Sequence, residues 1–369
     1  MDFGEVALAG AFLKPDEFEN EKKYQLDLYF CEHCYAVEVG EKIHPDILFK
    51  DYFYCSSAIP KLNEHFKEYA EYVVDRFKPQ TVIEIGCNDG VMLRHLDKLT
   101  YAVGVDPADI IDDSLNVIND YFGMGVIEQV GQVDMIIANN VFAHIRDIHE
   151  TTEAIKEGLT DNGVFVFEVH SLLDMIERNQ YDWVYHEHLY YYSFLALENH
   201  FKRYGMRIFD IENTGLHAGS RRYYVCKDDR HESQDVFNIR YTEIERGLYE
   251  LETFQDFAKR AENQKKELIA LLNKLKLEGK TIAGYGACGR ANTMIQYCGI
   301  TQLEYIIDDA PIKEGYFTPA SHYKIQAYQE DNLPDYVLVF AWSFLADIAK
   351  RCKSDMIIPL PIVHIMEQI

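Results

Sequence analysis

From Thr81 to about residue 170, short apolar runs (TVIEIG, YAVGVD, VDMIIANN, GVFVFEV) alternate with segments of helical spacing. That alternation is the βαβ rhythm of a parallel sheet and predicts an α/β domain. An amphipathic helix of about 66–77 leads into it, and little regular structure is suggested before that helix. Between 237 and 276, Ile244, Leu248, Leu251, Phe254, Leu268, Leu272 and Leu275 recur three and four positions apart with charges between them, predicting one long amphipathic helix or two. Alternation resumes at Lys280, where TIAGYG, LEYIIDD, YVLVFAW and MIIPLP predict a second, smaller α/β domain. The pattern divides the chain into a head over 1–65, an α/β domain over 66–235, a linking helix over 236–278 and a C-terminal α/β domain over 279–369.

Composition changes this picture in three ways. With 369 residues and 48% hydrophobic content the chain can build more than one core, and no apolar run approaches the ~20 residues needed to span a bilayer. Its 36 Lys and Arg against 61 Asp and Glu give a net charge of −25, which disfavours DNA, RNA and anionic membrane as partners. A small anionic ligand then needs locally gathered positive charge. The eight cysteines, scattered at 31, 34, 55, 87, 226, 288, 298 and 352, fit a reducing cytoplasm.

The run Glu84-Ile-Gly86-Cys-Asn88-Asp-Gly90 closes a buried strand and opens a helix, so its glycines permit a tight turn and close approach to a ligand. Asp106 ends the next strand, where an acidic side chain accepts the ribose hydroxyls of an adenosine. A dinucleotide turn wants G-x-G-x-x-G to admit a pyrophosphate, whereas this loop reads E-x-G-x-x-x-G. Glu84 would repel a pyrophosphate and attract the ammonium and sulfonium of S-adenosylmethionine, so the loop is assigned to that cofactor. Asn139 and Asn140, ending VDMIIANN, are expected to face cofactor and acceptor, and no proline pair follows them as a base-methylating enzyme would show.

Tyr185-His-Glu-His-Leu-Tyr-Tyr-Tyr-Ser193 packs two histidines, a glutamate and four tyrosines into nine positions. If extended, it points His186 and His188 one way and Tyr185 and Glu187 the other; on a tight turn all can converge. Three readings stay open: an H-x-H metal site completed by groups such as His144, His170 or Glu168, a general-base histidine, or a polar patch. Gly284-Tyr-Gly-Ala-Cys-Gly289-Arg290 matches G-x-G-x-x-G between strand and helix, and is either a diphosphate cradle or a plain strand-to-helix turn. Arg290, Arg221, Arg222 and Lys313 are candidates for the positive charge an anionic ligand needs, and Trp342 is either a stacking surface or core.

Five blocks make the chain similar to the sugar C-methyltransferase family that acts on nucleotide-linked 4-keto-deoxy sugars: Tyr185–His188 for Y-H-E-H, Ala138–His144 for A-N-N-V-x-A-H, His217–Arg222 for H-G-G-S-x-R with Ala218 replacing a glycine, Gly284–Ala287 with Asn292 and Thr293, and Asp335–Trp342. The resemblance implies a Rossmann-like S-adenosylmethionine methyltransferase domain flanked by a small head and a second Rossmann-like α/β domain. It implies His188 as base, with Tyr185, Glu187 and His144 beside it, and an acceptor made nucleophilic by removing the C3 proton that a 4-keto group acidifies. Glu84, Gly86, Asn88, Gly90, Asp106 and Asn139 are then cofactor residues, and Asn140, Ser220, Arg222, Arg290 and Trp342 substrate residues. The family's head carries two C-x-x-C pairs holding zinc; here only Cys31 and Cys34 remain, so the start is truncated or the metal lost unless His33, His44 or Cys55 completes a site, and zinc stays open. Tyr52 and Tyr54 are further expected substrate contacts. Two alternatives remain: an oxidoreductase holding NAD at the C-terminal glycine loop, and a non-catalytic nucleotide-sugar-binding protein.

Overall fold

A computed structural model describes residues 1–49, 60–108, 114–214, 219–331 and 333–367, and these form three sheets. In the head, β1 (Asp2–Ala7), β2 (Lys23–Phe30) and β3 (Val37–Val39) form an antiparallel sheet closed by β9 (Tyr190–Tyr191). The central sheet contains β4 (Thr81–Ile85), β5 (Tyr101–Val105), β6 (Val117–Ile118), β7 (Val133–Asn139), β8 (Leu159–His170), β10 (Arg207–Asn213) and β11 (Ser220–Cys226) in the order β10-β11-β8-β7-β4-β5-β6. β4 to β8 pair in parallel and the β10–β11 hairpin adds an antiparallel edge beside β8. The C-terminal sheet contains β12 (Ile282–Tyr285), β13 (Ile306–Ile307), β14 (Ile325–Gln326), β15 (Tyr336–Val339), β16 (Asp355–Ile358) and β17 (His364–Met366) in the order β14-β13-β12-β15-β16-β17.

These orders decide where ligands can sit. From β4 the chain winds outward through β5 and β6, then returns to start β7 on β4's other side; from β12 it does the same before β15. At each reversal the strands' carboxyl ends open a crevice, the usual ligand position in doubly wound sheets. Burial of both faces explains why the runs at β4, β7 and β8 were continuous rather than alternating.

Two expectations change and one open alternative is decided. The head holds three strands where little regular structure was read, because β3 finds its second neighbour in Tyr190–Tyr191, a pairing that no local pattern announces. The helix before β4 runs Pro60–Phe77, and the amphipathic stretch is two helices, Gln234–Glu245 and Leu251–Leu277, separated at Gly247, whose φ of +67° lies in the left-handed region. The second of these buries Phe257, Ala261, Gln264, Leu268, Leu272 and Leu275, a stripe recurring at three and four. Gln264 on that stripe accepts from the Tyr181 hydroxyl and donates to the Pro359 carbonyl, joining the central domain to the C-terminal one.

One buried charge pins the central sheet. Glu168 of β8 is fully buried and accepts from Arg222 of β11 (2.6 and 2.9 Å) and from His65 of the Pro60–Phe77 helix (3.1 Å). Burial pushes its carboxyl up, but the His65 hydrogen bond and the Arg222 charge outweigh this and hold it below the ordinary value. A depressed carboxylate contributes stability that is complete above its unfolded value and is lost as pH falls through its folded one. Glu168→Gln is therefore expected to cost about 3–5 kcal/mol near neutral pH, since it strands Arg222, with the deficit shrinking below the ordinary glutamate range. Urea unfolding of both proteins across pH measures this, and a deficit independent of pH would contradict it.

Candidate active site

The crevice at the ends of β4 and β7 is lined by acceptors. Beyond β4, Gly86 (φ +68°), Asn88 (φ 49°) and Gly90 (φ +78°) turn through the left-handed region. A Cβ on Gly86 would meet Val141 at 2.7 Å, so the room saved there holds protein as well as opening the turn. Asp106, just past β5, accepts from the Asn88 N–H (2.8 Å) and the Ala108 N–H (2.9 Å), which ties the loop to the second strand. Glu84 is buried, its Oε2 has no hydrogen-bond partner, and burial followed by the nearby Asp106 and Asp89 holds its carboxyl well above the carboxylate range. On the adjacent strand Asn139 donates to the Met92 sulfur (2.9 Å) while its buried Oδ1 accepts nothing. Unused acceptors among clustered acids suit a cationic ligand rich in donors, so these residues fit S-adenosylmethionine and would oppose a pyrophosphate. Asn140 (φ 55°) instead gives its N–H to the Glu168 carbonyl.

The histidine segment is a tight turn, closed by the His188 N–H on the Tyr185 carbonyl at 3.0 Å. It brings Tyr185 and His188 together and sends the two middle residues elsewhere. His188 Nδ1 lies 3.1 Å from the Trp183 carbonyl, and since a carbonyl only accepts, Nδ1 carries the proton. Nε2 is then the basic nitrogen, and the Tyr185 hydroxyl donates to it at 3.0 Å. The Tyr191 hydroxyl donates to the same Trp183 carbonyl (3.1 Å) and accepts the Tyr185 N–H (3.2 Å), bracing the turn. The His144 ring lies 5.0 Å from that of His188, and burial pushes His144 down to about 4, leaving it neutral near pH 7. Buried His186 contacts the Gln25 carbonyl of β2 (3.1 Å). Burial lifts Glu187 to about 7, relieved partly by a hydrogen bond from the Gly10 backbone. Of the three readings left open, the geometry favours a base-competent histidine; among the described residues no group of three metal-ligating side chains occurs.

Two residues overlooked in the sequence stand beside this turn. The Trp183 ring stacks with those of His170 (centroids 4.3 Å apart) and His188 (5.7 Å). Asp182 is buried, accepts the Trp342 indole N–H at 2.9 Å, and is lifted by burial to about 6 against the pull of Arg290. Both lie within three positions before the Y-H-E-H block and carry no periodic signal; their contacts come in part from a lobe far along the chain.

That lobe brings Arg290 and Trp342 into the site. The Arg290 guanidinium lies over the Trp183 ring (5.0 Å) and the Trp342 ring (4.8 Å), with Nη2 on the Ser343 hydroxyl (3.0 Å) and a buried Nη1 that has no hydrogen-bond partner. The glycine loop repeats the first crevice: Asp308 beyond β13 accepts from the Ala287 N–H (2.7 Å) and the Ala310 N–H (2.9 Å), as Asp106 does in the other domain. A Cβ on Gly284 would meet Phe340 at 2.6 Å and one on Gly286 would meet Ala341 at 2.6 Å, so protein packing alone requires these glycines. Lys313 holds the Ala287 carbonyl and Asp308.

Other expected residues are engaged elsewhere. Arg222 is buried against Glu168 and Glu212 with its guanidinium over Tyr69, and Arg221 pairs with Asp174, so neither offers a free positive charge to an anion. Ser220 is buried with its hydroxyl unpaired. Cys31 and Cys34 face each other across a turn, Cys31 lowered by backbone hydrogen bonds at the turn and Cys34 raised by burial; two thiols do not make a structural zinc site. His44 sits beside Asp46. Tyr52, Tyr54, Cys55, His217 and Ala218 lie outside the described residues. No helix among the described residues is long and apolar enough to cross a membrane.

Comparison with known proteins gives matches along the chain. A family described as a putative zinc binding domain matches residues 1–49, a methyltransferase domain matches 59–210, and a C-methyltransferase C-terminal domain matches 215–361. The C-methyltransferase NovU of Streptomyces niveus is 28% identical over 390 positions that cover 98% of this chain and 92% of that protein. Among solved structures, one from the complex between the Haloferax volcanii Trm112 methyltransferase activator and a putative methyltransferase covers 47% of this chain and 94% of its own, with 14% identity and a TM-score of 0.38. A SAM-dependent methyltransferase from Archaeoglobus fulgidus covers 45% of this chain and 94% of its own, with 14% identity and a TM-score of 0.38.

Asp106→Asn tests the crevice. It keeps one acceptor for the loop and removes the charge, and is expected to weaken S-adenosylmethionine binding roughly 10- to 100-fold, the span of a lost charge-assisted hydrogen bond. Isothermal titration calorimetry on the folded variant decides it; unchanged affinity would place the cofactor elsewhere.

Proposed function

We propose that this chain, an S-adenosylmethionine-dependent C-methyltransferase similar along its length to NovU, methylates C3 of a nucleotide-linked 4-keto-6-deoxy sugar through a base-generated enolate. The observation that carries the reading is the orientation of His188: Nδ1–H fixed on the Trp183 carbonyl, Nε2 basic and beside the Tyr185 hydroxyl. Carbon is not nucleophilic until a proton leaves it, and a ketone acidifies the proton on its neighbouring carbon. The cofactor, when bound, supplies an electrophilic methyl group on a sulfonium.

In this reading His188 Nε2 takes the C3 proton. The charge this places on the imidazole is met by the Trp183 carbonyl at Nδ1–H, the arrangement that orients and steadies a catalytic histidine. Tyr185 donates to Nε2 in the resting enzyme; because Nε2 has one lone pair, that hydroxyl turns to the substrate's keto oxygen to free it, and donates there to the enolate oxygen as the proton moves to Nε2. His144, neutral through burial, adds no charge to compete with the new imidazolium. Glu187, taken by Gly10, acts by holding the head against the turn rather than at the reacting atoms.

The anionic acceptor rests on less. Arg290 keeps an unpaired buried donor beside Trp342 in a chain of net charge −25, and the unpaired Ser220 hydroxyl is a second available polar group. Arg222, consumed by Glu168, is left out of the proposed acceptor site.

Two measurements test the proposal. Incubation with S-adenosylmethionine and a panel of nucleotide-linked 4-keto sugars is expected to add the mass of one CH₂ to at least one member, with the new carbon on C3 by NMR. No gain across the panel would refute the acceptor. His188→Ala is expected to lose about 10²- to 10⁴-fold in turnover while retaining cofactor affinity; turnover at the normal rate would refute the base.

A further inference from the structure

The turn that carries His188 is gripped residue by residue by the C-terminal lobe. Asp182 accepts the Trp342 indole N–H (2.9 Å). The Trp183 ring lies under the Arg290 guanidinium (5.0 Å). The Val184 carbonyl accepts the Thr293 hydroxyl at 3.0 Å, a contact buried between the two domains. The Tyr185 ring faces Gly289, where an added Cβ would make an ordinary contact with it, 3.5 Å from Cζ. Arg290 and Thr293 stand in the first turns of one helix, Gly289–Cys298, and Trp342 follows β15, so both sides of the second crevice take part. The far end of the turn is held differently: the Leu189 N–H donates to the Ala143 carbonyl (2.8 Å), and its carbonyl accepts the Val39 N–H of the head (3.0 Å).

We infer that Thr293 and Trp342 are positioning residues for the base: by fixing residues 182–184 they aim the Trp183 carbonyl at Nδ1 of His188 and thereby select the tautomer whose Nε2 lone pair faces the reaction. The inference rests on the reading of His188 as the base. The Trp183 carbonyl can reach Nδ1 only while the chain from 182 to 184 keeps its shape; beside the local bond from the Val184 N–H to the Tyr181 carbonyl, the Asp182 carboxylate and the Val184 carbonyl are held by the C-terminal lobe. A free imidazole has the opposite habit, carrying its proton mostly on Nε2, and in that form it has no lone pair there to take a proton. The second lobe thus completes the base as well as offering a place for the acceptor's nucleotide.

The test uses Thr293→Val and Trp342→Phe, made separately so that each stands if the other fails to fold, with Thr293→Ser as the conservative control. In protein carrying ¹⁵N-histidine, long-range ¹H–¹⁵N spectra report which ring nitrogen is protonated, and His188→Gln identifies the His188 signals. Wild type and Thr293→Ser are expected to show His188 as the Nδ1–H form; Thr293→Val and Trp342→Phe are expected to show a mixture with the Nε2–H form. Turnover should fall roughly tenfold in those two, about the worth of one lost hydrogen bond, with cofactor affinity unchanged in both and acceptor KM unchanged in Thr293→Val. A folded Thr293→Val or Trp342→Phe with His188 still wholly Nδ1–H overturns the inference, as does a wild-type His188 in the Nε2–H form. The spectra need no acceptor, so a failure of the acceptor assignment leaves this outcome readable.

Discussion

The hydrogen bond from His188 Nδ1 to the carbonyl of Trp183 is the constraint on which the rest of the site depends. Its acceptor is a main-chain carbonyl, so it exists only if the main chain runs correctly from 182 to 188. All three sheets contribute to that course. The head supplies β3 as a neighbour for Tyr190–Tyr191, the central domain supplies the Ala143 carbonyl, and the C-terminal lobe holds 182 to 185. Three modules of separate topology thus hold the segment from 182 to 191, which gives the head and the distal lobe a physical reason to accompany the central domain.

Charge organises the rest. An excess of acids is arranged so that the cofactor crevice has unused acceptors, at Glu84 and Asn139, while the basic groups of the interior are already committed: Arg222 to Glu168, Arg221 to Asp174. Arg290 differs because its partners are mainly aromatic faces, which attract a guanidinium without neutralising it. A guanidinium held that way keeps its charge for an anion, and one held by a carboxylate does not. Equal as charges in the sequence, Arg222 and Arg290 are opposite in what they can offer.

What could be read from the sequence and what could not separate along the same line. The strands of both doubly wound sheets were visible because burial on two faces writes itself as consecutive apolar residues, and the acidic loop from Glu84 to Gly90 was visible because turn chemistry is local. The Tyr185–His188 block stood out by density alone, but its internal geometry did not: His186 and Glu187 face the head, and only the turn decides that. Trp183 and Asp182 were missed, though they lie close to the block, because a carbonyl has no letter in the sequence and a buried aspartate is recognised only with its partner, Trp342, in place. The head's strands were missed for a related reason, their pairing with Tyr190–Tyr191 being distant in sequence. Arg222 was misjudged because an arginine beside a ligand motif looks the same whether or not a glutamate on the neighbouring strand has claimed it.

Burial shifts three titratable neighbours of the turn toward their neutral forms, Asp182 up to about 6, Glu187 to about 7 and His144 down to about 4, while the Arg290 guanidinium lies over the Trp183 ring. For the proposed proton abstraction this has a definite electrostatic meaning. Taking a proton from carbon creates a cation on His188 and an anion on the enolate at the same moment, a few ångströms apart. In water the attraction between them would be largely screened, and a fixed carboxylate nearby would stabilise the cation while opposing the anion. Among packed aromatic rings the screening is weaker than in water, so the nascent pair stabilises itself. Oriented groups of no net charge, the Trp183 carbonyl at one end and the Tyr185 hydroxyl at the other, can assist both members without favouring either. A packed aromatic setting with one oriented imidazole suits the proposed proton abstraction, and the packing of all three modules around residues 182–191 produces it.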